Sequence, residues 1–592
     1  MTFSQPSRRL TAGVVFLSLL AGNALADDGT TPRTKLFWGD THLHTSYSPD
    51  ASMNGNTRIG PAEAYRFARG DSIEGHSGQP AKLARPLDFL VVADHAEYLG
   101  LLPRIRSRDP DIMRNEVARR WAGLIASDDQ EDNWRAMFEV LHDIETNEPS
   151  ITDEEVIRSA WDQVVAIADE YNEPGKFTAF IGFEWTSMPD GNNLHRVLVF
   201  RDDAEKAGQV LPFSSFDSED PEDLWQFMAA YEARTGGSVL AIPHNGNLSN
   251  GEMFTLTDFA GDAIDRDYAE ARSRWEPLYE VTQIKGDGET HPLLSPRDPY
   301  ADFETWDHGN LTSTVPKQEA MLKYEYARSA LGTGLLLQEQ TGANPYRFGM
   351  IGSSDAHTGF AAVAEMNFWG KFSVYEPGAL RLTHKPIAQG RQGKAYDLWA
   401  YEMVASGYAA VWATANTREA LFDAMKRREV YATTGSRIRL RFFGGWDFAN
   451  DDVDRWDFAE NGYHRGVPMG GDLSAAPTNK APTFLLRATK DPDGVELSRL
   501  QIVKGWVDAD GVSRESVHDV LVSEEGAVRL ASHWRDPDFD ASRPAFYYVR
   551  VLEGERERWT TLEAERLGVE FEGDVPRLIR DRAYSSPIWY TP

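Results

Sequence analysis

The sequence predicts an α/β fold built on buried parallel strands, followed by a β-rich C-terminal region. Three observations predict it. Short apolar runs of strand length recur at residues 35–39, 88–93, 177–183, 197–200, 239–242, 278–284 and 348–351. Runs that are apolar on both faces suit parallel strands covered from two sides. Stretches of helical character fall between many of them, which is the alternation of a parallel sheet. After about residue 440 the pattern changes. Residues 484–489, 499–507 and 545–552 alternate or run apolar, with Asp, Gly and Pro between them. That pattern predicts a small sandwich.

The 592 residues are too many for one ordinary domain. The expected division is a barrel-type region over 27–440 and a β-rich domain over 441–592. Residues 101–170 interrupt the strand pattern with charge and helix formers, and read as a helical insertion with Trp121, Trp134 and Trp161 as packing anchors. A second insertion, about 286–346, begins irregular and ends in a helix expected over about 317–340. A further helix is expected after Asn416 as its cap, with Glu419 in the first turn and Ala420, Leu421, Ala424 and Met425 as its apolar face. The acidic stretch 447–457 reads as a solvated loop, with a calcium site as the weaker alternative.

The amino terminus reads as an address. Arg8 and Arg9 precede an apolar run over 10–21, and Ala24-Leu25-Ala26 then gives a small-x-small cleavage site. The run is too short to span a bilayer permanently. Residues 1–26 are therefore expected to be a cleaved signal. The mature chain is expected to be periplasmic or secreted, with no membrane contact after cleavage.

Composition narrows the chemistry. The formal net charge of -31 disfavours nucleic acid as the main partner. The absence of cysteine removes disulfides, thiol nucleophiles, iron–sulfur clusters and thiolate zinc sites. Any metal must be held by His, Asp and Glu.

Such residues gather at the carboxyl ends of the predicted strands, where a β/α barrel builds its active site. His42 and His44 lie two apart on an extended segment and so point the same way. Asp50 follows in a Ser-Pro-Asp turn. Val91-Val92-Ala93 ends in Asp94-His95, and Ile181-Gly182-Phe183 ends in Glu184. His195 opens the next run, His244 follows Ile242-Pro243, and Asp355 and His357 follow Gly352-Ser353-Ser354. Burying so many ionisable groups at strand ends is costly without compensating charge. Divalent cations supply it, and neutral His with carboxylate suits Zn, Mn or Fe.

The order His-x-His, Asp-His, Glu, His, Pro-His, Asp-x-His resembles the polymerase and histidinol phosphatase (PHP) superfamily. Gly39-Asp40-Thr41-His42-Leu43-His44-Thr45, Ile351-Gly352-Ser353-Ser354-Asp355-Ala356-His357 and Tyr431-Ala432-Thr433-Thr434-Gly435 are similar to one poorly characterised branch of it, along nearly the whole mature chain. The resemblance implies a distorted seven-stranded β/α barrel with two or three metals at its carboxyl face, in proteins that are mostly phosphoesterases. It implies nine ligands: His42, His44, Asp50, His95, Glu184, His195, His244, Asp355 and His357. Glu184 would bridge two ions, and Asp50 stands where many relatives carry a third histidine.

Several metal ions together lower the pKa of a bridging water and clamp an anionic group. The expected reaction is thus hydrolysis of a small phosphate ester, mono- or diester, by a metal-bridged hydroxide. A sulfate ester is the close alternative. A non-catalytic binding protein on the same barrel is a further alternative, as is an amidohydrolase, although no strand lysine suited to carbamylation is apparent. A cation should help hold the anion, and Lys285, just past the predicted strand 278–284, is the candidate. His291 and His308 lie in the irregular insertion, where they could approach the site. His76, His142, His384, His464, His518 and His533 read as structural or exposed.

Overall fold

Alternation of buried apolar strands with helices yields a mixed α/β protein around one large sheet. The computed structural model describes residues 34–592 apart from 128, 406 and 571–574. The expected signal (1–26) lies outside the described residues, as does the Trp134 side chain.

All seven apolar runs are strands: β1 (Lys35–Leu43), β2 (Phe89–Val92), β3 (Thr178–Trp185), β4 (Arg196–Phe200), β5 (Val239–Pro243), β6 (Leu278–Gln283) and β7 (Gly349–Gly352). Every residue of β2 to β7 is buried, as expected for strands covered on both faces. β1 pairs parallel with β2, and β2 with β3. β6 pairs parallel with β7. The expectation of uniformly parallel strands fails at β4, which runs antiparallel to both β3 and β5. The reason is the short link 186–195, which turns the chain straight back with no crossover helix. Two isolated parallel bridges, His244 with Glu280 and Leu43 with Ala356, link β5 towards β6 and the end of β1 towards the segment after β7.

Close approach within this frame depends on glycine at two motif positions. A Cβ on Gly39 would lie 2.4 Å from the Phe89 ring. Gly435 has φ of 122° and its Cβ would meet the Val363 carbonyl at 2.5 Å.

The 101–170 segment is helical: Leu101–Arg106, Glu116–Ile125, Gln130–Thr146 and Glu154–Tyr171. Trp121 and Trp161 are buried. Asp153 caps the last of these helices through Glu155 N, and Val156, Ala160, Trp161, Val164 and Val165 form its buried face. Trp161 meets Phe183 of β3 edge-on at 5.7 Å. The helix expected over 317–340 is instead two, Glu319–Leu322 and Ala327–Thr341. It breaks because the N–H groups of Ala327 and Arg328 donate to the carbonyls of Gly288 and Glu289, outside the helix. The helix Arg418–Lys426 is capped by Thr417, whose hydroxyl accepts from Ala420 N, and not by Asn416. Asn416 is drawn inward, donating to the carbonyls of Asp88 and Lys176.

Hydrogen bonding does not break at residue 440. β8 (Tyr408–Ala413) pairs with β1, and β9 (Val430–Thr433) pairs with β8. β9 pairs in turn with Arg582–Ser585, which pairs with Ala545–Glu553. The C-terminal strands thereby extend the central sheet. Against it packs a second sheet containing Arg439–Gly445, Thr483–Thr489 and Arg529–Arg535. Leu440, Phe442, Phe484 and Leu486 share one core with Leu500, Ile502, Tyr547 and Val549. In 447–457, Asp447 pairs with Lys480, Asp452 with Arg465 and Asp457 with Arg455. No helix of the described residues is long and apolar enough to cross a membrane.

Candidate metal centre

Most of the polar residues stand at or just past the ends of strands, while Glu184 and Glu280 lie within β3 and β6. At the end of β1 the Asp40 carboxylate accepts from His42 N at 2.9 Å and Ser354 N at 3.2 Å, tying the His-x-His segment to the Asp355 loop. Asp94 accepts from Thr45 N and Thr45 Oγ1 and fixes the next turn. Burial raises Asp40 to about 7 and Asp94 to about 6. Asp50 opens the short helix Pro49–Met53. His195 is positioned by an otherwise irregular link, in which Leu194 N donates to the Ser187 carbonyl and the Asn193 amide to the His244 carbonyl.

All nine residues singled out from the sequence meet in one place. They form four overlapping sets whose donor atoms lie within 4.8 Å of one another. These are His44, Asp50, His95 and His357; His42, His44 and Asp355; His42, His244 and Glu280; and His95, Glu184 and His195. Shared members make the sets one continuous centre. His42, His44, His95 and His244 all lie within 3.3 Å of a Glu184 oxygen, and His195 Nδ1 lies 2.7 Å from Glu184 Oε1.

The donor atoms fit divalent cations. His42 Nδ1 faces both Glu280 oxygens at 3.2 Å, which places its proton there and leaves Nε2 a lone pair. That Nε2 stands 3.0 Å from His44 Nε2, with Glu184 Oε2 3.3 Å and 3.0 Å from the two nitrogens. Electron-rich atoms gathered this closely repel one another unless positive charge lies among them. His195 Nε2 and His244 Nδ1 are buried without a hydrogen-bond partner among the described residues. Burial pushes the His195 imidazole down to about 3 and lowers His244 and His357 too, keeping them neutral as ligation requires. Against the burial that would lower it, Glu280, Asp355 and Glu184 hold His42 well above its ordinary value.

Two lysines flank the cluster. Lys285 pairs with Asp355 Oδ2, and Lys371 Nζ lies 2.5 Å from Asp355 Oδ1. Lys285 is thus drawn to the site as expected, but onto an acid of the cluster. Lys371 and Glu280 escaped the sequence reading. Glu280 carried a signal, an acid inside the buried run Leu278–Gln283. Lys371 carried none, lying in a segment without periodicity. His291 pairs with Asp307 and His308 with Glu402, and neither joins the donor sets. His76, His142, His384, His464, His518 and His533 are likewise outside them.

A family profile matches residues 31–528 and 522–592, under the description "protein of unknown function (DUF3604)". The chain belongs to the DUF3604 family. The match spans the strands, both insertions and the C-terminal sheets. A comparison with curated proteins finds no match. Among solved structures the chain is similar to a two-domain protein containing a predicted PHP-like metal-dependent phosphoesterase from Bacteroides vulgatus. Identity is 11%, over 87% of this chain and 90% of that one, with a TM-score of 0.27.

Proposed function

We propose that this DUF3604 protein is a metal-dependent hydrolase of a small phosphate ester. The observation that carries the reading is the convergence of His42, His44, Asp50, His95, Glu184, His195, His244, Asp355 and His357 in one cluster, with Glu280 behind His42, opening on a cleft lined by Asp50, His95, Glu184, His195, Asp355, His357 and two lysines. Two or three ions of Zn, Mn or Fe held by these groups would supply a water acidified to near neutral pH and offset charge at the reacting phosphorus.

The chain's own residues do the rest. Glu280 fixes the ring and tautomer of His42 through Nδ1. Glu184, facing several imidazoles with both oxygens, is the group suited to bridge ions. Lys285 places positive charge at the cleft floor, against a net charge of -31, and Lys371, which burial pushes down to about 7, adds to it when protonated; both orient an anion by its non-bridging oxygens. We also read β1–β7 as a distorted seven-stranded PHP-type barrel. The two isolated bridges, at His244–Glu280 and Leu43–Ala356, support that reading. Export with cleavage after Ala26 remains part of the proposal, and amino-terminal sequencing of the mature protein tests it.

The decisive experiment is elemental analysis of the purified protein, followed by assays of phosphate monoesters, diesters and sulfate esters with Mn and Zn supplied separately. Metal-supported turnover of a phosphate ester is the expected result. Turnover confined to sulfate esters moves the reaction to sulfur. Full metal occupancy without turnover of any ester overturns the hydrolase reading in favour of a binding protein.

A further inference from the structure

Above the donor cluster opens a cavity of about 390 Å³, within the range of small-molecule sites. Its floor is charged: Asp50, His95, Glu184, Asp355, Lys285 and Lys371 line it. Its walls have the opposite character. The helical insertion contributes Leu141 and Ile144, and the irregular insertion contributes Trp306 and Leu311. Residues after β7 contribute Phe372, Ile387 and Leu398. Trp306, Leu398 and Met403 belong to a buried apolar cluster against which Leu311, Phe372 and Ile387 pack, so this wall is the face of a core.

Most polar groups on the walls are already engaged within the protein; the exceptions are two carboxylates, Glu145 at the exposed rim and Glu97, whose Oε2 is buried without a partner among the described residues. Lys394 Nζ donates to the Thr312 carbonyl at 2.6 Å, and Tyr396 OH donates to the Asn310 carbonyl at 2.9 Å. Thr312 Oγ1 bonds Thr314 Oγ1 at 2.9 Å, and Thr186 Oγ1 bonds His95 Nδ1 at 2.6 Å. The Asn54 amide donates to the Asp50 carbonyl at 2.8 Å. A sugar or nucleoside placed here would find only those two carboxylates as open acceptors and would leave most of its hydroxyls facing carbon, at the cost of unmade hydrogen bonds. An aryl or alkyl group would instead gain by leaving water.

We infer that the cavity selects an ester whose anionic group sits on the charged floor and whose organic group is apolar, an aryl or short alkyl chain. The inference rests on the hydrolase reading of the floor, but binding tests it separately from turnover. The probes are inorganic phosphate and methyl-, butyl- and phenylphosphonate, titrated calorimetrically into the metal-loaded protein, with glycerol phosphate as the polar comparison. Affinity is expected to rise roughly threefold per added methylene, with phenylphosphonate far tighter than methylphosphonate. Leu311→Asn and Ile387→Asn are each expected to weaken the butyl and phenyl probes about tenfold while leaving phosphate binding unchanged. Equal affinity along the series, tighter binding of glycerol phosphate than of butylphosphonate, or no binding of any probe overturns the inference. A rise with chain length in a protein that cleaves no ester leaves the inference standing and removes only the hydrolase reading.

Discussion

Lys371 grips Asp355 twice, by its carboxylate Oδ1 at 2.5 Å and by its main-chain carbonyl at 2.7 Å. Asp355 has φ of 51°, a left-handed conformation that costs a residue with a side chain about 1–3 kcal/mol unless its surroundings fix it. Lys371 supplies part of that fixing, and its contact with the carbonyl would survive any change in what the carboxylate binds. Lys285 touches only the carboxylate, through Oδ2.

The two lysines are therefore expected to differ in effect. Lys371→Met should lower kcat/KM about tenfold or more, from the 1.5–3 kcal/mol of a charged hydrogen bond, and should reduce metal content by releasing Asp355. Lys285→Met should lower kcat/KM with metal retained. Steady-state kinetics on a verified ester, paired with elemental analysis of both variants, checks this. Metal loss in Lys285→Met alone would reverse the assignment.

Glu280 is expected to act through His42. Glu280→Ala should weaken metal retention about 10- to 100-fold, as removal of an orienting partner does, while Glu280→Gln, which still accepts from Nδ1, should recover much of it. Competition with a chelator, followed by metal analysis, reads the order. Equal retention in wild type and Glu280→Ala would show that His42 needs no such support.

Arg550 ties the C-terminal sheet to the irregular insertion. Its guanidinium lies 2.7 Å from Asp298 Oδ1, 3.3 Å from Glu289 Oε2 and 2.8 Å from the Gln501 side-chain oxygen. Arg328 joins the same two acids. Arg550→Ala should cost about 3–5 kcal/mol by leaving buried charge unpaired, and Arg550→Lys should not restore it, because lysine lacks the forked donors. Denaturant unfolding measures the loss, and a change below about 1 kcal/mol would show that Arg328 alone satisfies both acids.

Asp287 should make stability fall with pH. Burial, with Glu289 nearby, pushes its carboxyl up to about 8. Between its ordinary value of 3.8 and about 8 the folded chain holds a proton that the unfolded chain has released. Folding is then disfavoured progressively as pH rises through that window, by at most about 1.4 kcal/mol per pH unit, and the loss is complete above it. Asp287→Asn should flatten this share of the slope and raise the thermal midpoint at pH 8 relative to wild type. An unchanged difference between pH 5 and pH 8 would show that Asp287 is ionised throughout.

The sequence by itself determined the seven strands and the polar residues closing them. Both are local patterns: a strand buried on two faces must be apolar throughout, and an acid or histidine at its end stands out against that run. The tertiary structure decided what depends on partners distant in the chain. The direction of β4 is the exception, set locally by the short link 186–195 and hidden only because an apolar strand reads alike either way. Ala327 and Arg328 break their helix because Gly288 and Glu289 offer their carbonyls. Lys371 reaches the site only because its segment folds back over Asp355, and a lysine in an irregular stretch has no period to betray where its charge will be buried. The reach of the C-terminal strands into the central sheet is of the same kind, because a β-strand's unsatisfied edge does not encode which other edge will complete it.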